Sequence, residues 1–147
     1  GDVYKRQVAR DMGLTVNKYV DERKDFNKSA FAASELLRRI CIPQAYRILC
    51  NVGDIEPEGD ELWFKLLVLH IYHAGARNVE SLLSQLEKPL QGMELIKWMW
   101  RNEYGNFKNA SQNYSQIAIA AMLTLKDIVL SDCEYIFDCN GNNPIEN

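Results

Sequence analysis

The stretch from Leu62 to Val79, LWFKLLVLHIYHAGARNV, leaves the chain the fewest choices. Between Leu62 and Tyr72 the only polar side chains are Lys65 and His70. A helix that is apolar nearly all round must be buried, because it has no face to give to water. The stretch is too short and too interrupted to span a bilayer. Its pattern predicts a central core helix that stops at Ala74-Gly75. The end of that helix brings Tyr72, His73 and a glycine turn to one place, followed by Arg77 and Asn78. Polar groups at the rim of an apolar core are placed to face a cleft.

At 147 residues the chain suits one domain and can bury a core without staples. Its net charge of −3 argues against a nucleic-acid partner, which needs Lys and Arg to neutralise phosphates. No basic cluster interleaved with aromatics occurs. These residues contain no signal peptide and no transmembrane run, and they do not begin with Met. Membrane anchoring would therefore need a segment preceding residue 1. Cys41, Cys50, Cys133 and Cys139 form no CxxC pair, which disfavours a zinc ribbon or a thioredoxin motif. Cys41 and Cys50 are too far apart to bridge within one unbroken helix. Cys133 and Cys139 could close a small loop in an oxidising compartment. The simpler expectation is four small buried hydrophobes.

Taken in order, residues 1–7 (GDVYKRQ) fit no periodic pattern and read as a leader. Val8 to Met12 reads as a helix end, stopped by Gly13. Asp25 is a good N-cap for a helix whose apolar stripe is Ala33, Leu36, Leu37, Ile40 and Cys41. Pro43 breaks or kinks it, and Gln44 to Cys50 continues as helix. Residues 51–60 form an acidic loop. Asp60 is expected to cap the central helix, with Glu61 favourably placed in its first turn. Asn78 or Arg77 opens a helix carrying Val79, Leu82, Leu83 and Leu86, which ends before Pro89. Met93 to Trp100 is a short helix, and Arg101 to Lys108 a polar loop. Asn109 or Ser111 caps a long final helix with Ile117, Ala121, Leu125 and Ile128 inward. Residues 131–147 form a C-terminal extension whose polar tail is expected to be disordered. No segment alternates like a strand, so the expected fold class is all-α.

Few residues invite chemistry on pattern alone. His70 and His73 share a helix face at i, i+3, yet no HExxH motif completes a metal site. They read as hydrogen-bonded core or cleft histidines. The hydroxyl of Tyr72 needs a partner, either structural or in a site, and spacing alone favours the structural role. Residues 109–116, NASQNYSQ, are dense in hydrogen-bonding side chains where a helix begins. They serve either as helix caps or as a polar wall for a sugar or peptide. Trp98, Trp100 and Tyr104 read more simply as core than as a sugar-stacking platform. Asp21-Glu22-Arg23 offers carboxylates, but beside arginine these are ion-pair partners before they are acids.

Three runs of residues together resemble a known family. The first comprises Ala9-Arg10, Gly13-Leu14, Val16, Tyr19-Val20-Asp21-Glu22-Arg23, Asp25, Lys28-Ser29, Ala32-Ala33 and Leu36. The second is Ile71-Tyr72-His73-Ala74-Gly75 with Asn78-Val79, and the third is Asn113-Tyr114 followed by the Ile117-to-Leu125 helix. In this order they resemble the "GL…V…DERxDxxKSxxAA…L", "AYNAGxxNV" and closing Tyr motifs of the lytic transglycosylase (SLT) domain, membrane-bound lytic transglycosylase D type. The resemblance covers residues 8–130. It implies a lysozyme-like helical fold, incomplete at its N-terminus. It also implies cleavage of the bond between N-acetylmuramic acid and N-acetylglucosamine in peptidoglycan, giving a 1,6-anhydro sugar. One Glu protonates the leaving oxygen and then acts as base on the sugar's own 6-hydroxyl, unlike the two-carboxylate scheme of ordinary glycosidases. A partly apolar cleft raises the pKa that such a Glu needs.

By the same resemblance Tyr72, His73, Ala74, Gly75, Gln112, Asn113 and Tyr114 contact the glycan strand. Tyr72 would hydrogen-bond the catalytic Glu, which belongs to a Glu-Ser motif expected before residue 1. A Gly-x-x-Gln motif between that Glu-Ser and Gly13-Leu14 is absent too. Glu22 matches the DER element and is not the catalyst. His73 stands where the family has Asn, the usual Gly-Pro after the second motif is missing, and residues 50–58 are extra. The alternative role is a non-catalytic glycan-binding or scaffold domain of the same fold. No metal or cofactor is expected. The implied location is periplasmic or at the bacterial outer membrane.

Overall fold

A computed structural model describes residues 2–53, 55–58 and 61–136, without the side chains of 2–5 and 126–136. Seven α-helices account for most of them: α1 (Asp2–Asp11), α2 (Phe26–Leu36), α3 (Ile42–Gly53), α4 (Leu62–Ala74), α5 (Ala76–Leu83), α6 (Gly92–Arg101) and α7 (Ala110–Ile136). The fold is all-α. Among the described residues, extended pairing is limited to two isolated bridges, Val16 with Asp21 and Tyr104 with Phe107.

Helix α4 is the hub, as its apolar pattern requires. It packs against α3, α5, α6 and α7. Trp63, Phe64, Leu66, Leu67, Val68, His70 and Ile71 are all buried on it. The partners contribute Ala45, Ile48 and Leu49 from α3, Val79, Leu82 and Leu83 from α5, and Leu95, Ile96 and Met99 from α6. Each fully buried aliphatic chain of this kind contributes roughly 1.5–3 kcal/mol. Gly75 ends α4 with φ 85° and ψ 145°, and its N–H donates to Ile71 O at 2.8 Å. That backbone region belongs essentially to glycine. The chain therefore turns within one residue, and α5 starts at Ala76, earlier than the expected Arg77 or Asn78. The Asn78 amide then donates back to Ala74 O at 2.7 Å, satisfying a carbonyl at the end of α4.

Several expectations need correction. Residues 2–7, which fit no periodic pattern in the sequence, are the first part of α1. Pro43 does not break the second helix, whose helical path runs on from Phe26 to Gly53. One wide π turn, Leu37–Cys41, precedes it and joins α2 to α3, with Ile42 N–H reaching Leu37 O. A proline ring collides with the carbonyl of residue i−4 and cannot donate to it, and a widened turn relieves both problems. The end of α3 presses on the connection before α6: a Cβ on Gly53 would lie 2.6 Å from Pro89 Cβ. The helix of Val79 and Leu82 stops at Leu83, before Leu86.

Two further corrections concern burial. Cys41 is buried, but Cys50 is exposed, so the four cysteines are not uniformly core. On α7 the inward positions are Ser115 and Ile119. Ile117 and Leu125 are 61% and 56% exposed, and Ala121 is exposed as well. Ser115 faces inward because Trp100 Nε1 donates to its hydroxyl at 2.7 Å. Ile117 lies two residues on, about 200° round the helix, and so points outward. Asp60, residues 137–147, Cys139 and the side chains of Ile128 and Cys133 lie outside the described residues.

Candidate functional site

The turn at the end of α4 and the first turns of α7 meet over a long sequence separation. His73 and Tyr114 stack face to face, with ring centroids 4.1 Å apart and planes 12° from parallel. Tyr72, 37% exposed, stands beside them. Burial raises the pKa of the Tyr114 phenol, and the nearby Tyr72 phenol raises it further. The Tyr114 phenol is therefore a neutral donor at physiological pH. Ala74 and Gly75 form the turn beneath. The expected site residues Tyr72, His73, Ala74, Gly75 and Tyr114 thus come together.

Gln112 and Asn113 do not join them in the same way. The Gln112 amide donates back to Asn102 O at 3.4 Å and tethers the preceding loop. Asn113 is exposed, and its backbone N–H donates to Asn109 O in the first turn of α7. Asn109 adopts φ 35°, a conformation Asn tolerates well, and marks where the loop becomes helix. Trp100 serves the α6–α7 junction through Ser115. Trp98 and Asn102 instead line a separate cleft of about 330 Å³ with Leu82, Leu86 and Leu90. Tyr104 is exposed and pairs with Phe107 through their backbones.

One turn earlier on α4 lies a fully buried polar side chain. His70 is fully buried, its Nδ1 lies 2.9 Å from Ser111 O, and the Phe107 ring is 5.4 Å away. A carbonyl can only accept, so Nδ1 carries the proton and Nε2 is the bare nitrogen. Nε2 is buried without a hydrogen-bond partner. Burial pushes the imidazole down to about 4, with the neighbouring His73 adding to the effect and the Ser111 carbonyl opposing it. His70 is therefore neutral at pH 7. The sequence marked His70 only as a core or cleft histidine. It did not point to Phe107, placed in a loop, or to Ser115, hidden in a polar run. For Ser115 the signal would have been the 3.6-residue register of α7 set by a buried partner.

The DER region is built differently. Thr15 N–H donates to Glu22 Oε2 at 2.6 Å, and Lys28 Nζ donates to Glu22 Oε1 at 2.5 Å. Lys28 and then the Thr15 amide hold the Glu22 carboxyl below its usual range. Arg23 forks Asp21 at 2.8 and 2.7 Å and takes it down to about 2. Neither carboxylate holds a proton at neutral pH, so neither can act as a general acid. They close the Gly13-to-Asp25 loop onto α2. Beside it Met12, Leu14, Thr15, Asn27 and Phe31 line a shallow groove of about 590 Å³. Neither this groove nor the smaller cleft includes Tyr72, His73 or Tyr114. The described part of the candidate site is a partly exposed wall.

Among the described residues no group of three His, Cys, Asp or Glu side chains could hold a metal ion. No helix among them is long and apolar enough to cross a membrane. In comparisons with known proteins, no family model, no curated protein and no solved structure matched this chain.

Proposed function

We propose that this chain is part of a lytic-transglycosylase-like domain acting on peptidoglycan glycan strands outside the bacterial cytoplasm. The observation that carries the proposal is the meeting of Tyr72 and His73 with Tyr114, from motifs far apart in sequence, on one partly exposed wall. Phenols and an imidazole beside a glycine turn suit a neutral, hydroxyl-rich ligand. Tyrosine offers both an apolar ring face for a sugar and a polar tip for its hydroxyls. The ion-paired state of Glu22 also supports the proposal, because it leaves the acid role to the Glu-Ser motif expected upstream. In the complete protein Tyr72 would orient that glutamate, and Tyr114 with His73 would hold the sugar beside it.

The test is digestion of purified sacculi by the gene product extended upstream through the Glu-Ser motif. Release of 1,6-anhydro muropeptides, lost when that Glu becomes Gln, is the expected result. Hydrolytic products with ordinary reducing ends, or an upstream sequence without Glu-Ser before Gly-x-x-Gln, would overturn the enzymatic reading. A second reading, a glycan-binding domain without activity, is favoured by one residue: His73 fills the position of the family's Asn with a stacked ring. Binding of glycan strands without any release would establish it.

A further inference from the structure

Helices α4 and α7 are joined by two contacts in matching register. His70 reaches Ser111, and one turn on, His73 stacks on Tyr114, one turn on in α7. The first contact is buried and directional, and the second is partly exposed and carries the candidate site. We infer that His70 is a positioning residue: its Nδ1–H, held on Ser111 O, fixes the rotation of α7 that sets Tyr114 against His73. This rests on the glycan-site reading only for its biological meaning, and the geometry is independent of it.

The groups around His70 explain why its protonation state matters. Its own helix supplies His73, the ionisable neighbour that acts on it electrostatically. The loop before α7 supplies the apolar ring of Phe107, and α7 supplies the Ser111 carbonyl, with the neutral Tyr114 phenol behind His73. The core side chains from α3, α5 and α6 are all apolar. A second proton on the ring would sit on Nε2, a buried donor with no acceptor among the described residues. The charged ring has no compensation in place, and an uncompensated buried charge is expensive. Acid must therefore either open the α4–α7 contact or be resisted by it.

The contact is tested with three versions of the full chain: wild type, His70→Asn, whose amide can still donate to Ser111 O but does not titrate, and His70→Leu, which can do neither. Amide-exchange protection across residues 114–119 is followed from pH 7 to pH 4. In the wild type, protection falls roughly tenfold per pH unit below about 6.5, because the opened state takes up one more proton than the closed one. In His70→Asn protection is close to the wild-type value at pH 7 and stays flat as the pH falls. In His70→Leu protection is also flat but lower, and binding of an N-acetylglucosamine tetramer is at least tenfold weaker than in His70→Asn. An acid loss of the same size in His70→Asn would overturn the inference, as would equal tetramer affinity for both variants. If the exchange pattern appears and no version binds the tetramer, the positioning role stands and the glycan reading of the site fails.

Discussion

The two polar clusters of this molecule, around Glu22 and around His70, have opposite electrostatics. At the Glu22 cluster charge is plentiful, paired and in reach of water: Lys28 and the Thr15 amide hold Glu22 ionised, and Arg23 holds Asp21. In the buried part of the α4–α7 junction charge is excluded. His70 is neutral, Ser115 is satisfied by an indole N–H, and the partly exposed wall is two phenols and an imidazole. Solvated ion pairs close a loop at small net gain. A desolvated hydrogen bond has few alternatives, so it fixes geometry, and an error there is costly. Dense charge therefore marks the scaffold in this chain, and the sparse polar groups in the apolar core mark the place where precision is built.

The largest expected effect separates the two clusters by pH. The folded-state pKa of His70 lies near 4, below the unfolded value of 6.5. Above pH 6.5 the titration of the ring costs nothing, and as pH falls from 6.5 towards 4 the unfolded chain gains a proton that the folded chain refuses. Stability should drop by about 3 kcal/mol across that window, from a shift of about 2.5 units at 1.36 kcal/mol each. Chemical denaturation at pH 7 and pH 4.5 should show most of this drop in the wild type and little of it in His70→Asn. Next comes Gly75→Ala. Space is not the obstacle, since nothing lies within 4 Å of the added Cβ. The positive φ alone should cost about 1–3 kcal/mol, read as a lower denaturation midpoint. Ser115→Ala should cost about 1 kcal/mol by depriving Trp100 of its acceptor. Glu22→Gln is expected to do least at neutral pH, with a smaller change in midpoint than any of these and no change in glycan binding.

The sequence made the hub legible and left the register of α7 hidden. Leu62 to Ala74 is apolar on too many sides to lie anywhere but the centre, so α4 and its glycine stop followed from composition and period alone. Tyr72, His73, Ala74 and Gly75 came with it. The inward stripe of α7 was misread because Ile117 and Leu125 are more apolar than Ser115, and apolarity is the usual guide to burial. A single hydrogen bond from Trp100 reverses that order, and hydrogen-bond partners distant in sequence leave no periodic trace. The π turn before Pro43 was hidden for a related reason: proline signals a break, whereas the chain absorbs the clash in one wide turn. Gln112 and Asn113 were legible as hydrogen-bonding residues but not in what they bond.

A milder substitution refines the candidate site without disturbing the fold. Tyr72→Phe removes a hydroxyl from a partly exposed ring. It should leave the denaturation midpoint nearly unchanged and reduce muropeptide release by the upstream-extended protein. A large loss of stability instead would make Tyr72 a structural residue.

The central claim is that the wall formed by Tyr72, His73 and Tyr114 meets a glycan. The most direct measurement is the titration of isotope-labelled protein with N-acetylglucosamine tetramer, followed by NMR at every assigned amide and aromatic ring. The account predicts saturable shifts concentrated at residues 72–75 and 113–115, with the Tyr114 ring moving most. Shifts confined to the groove beside Phe31, or absent while the protein remains folded, would contradict it.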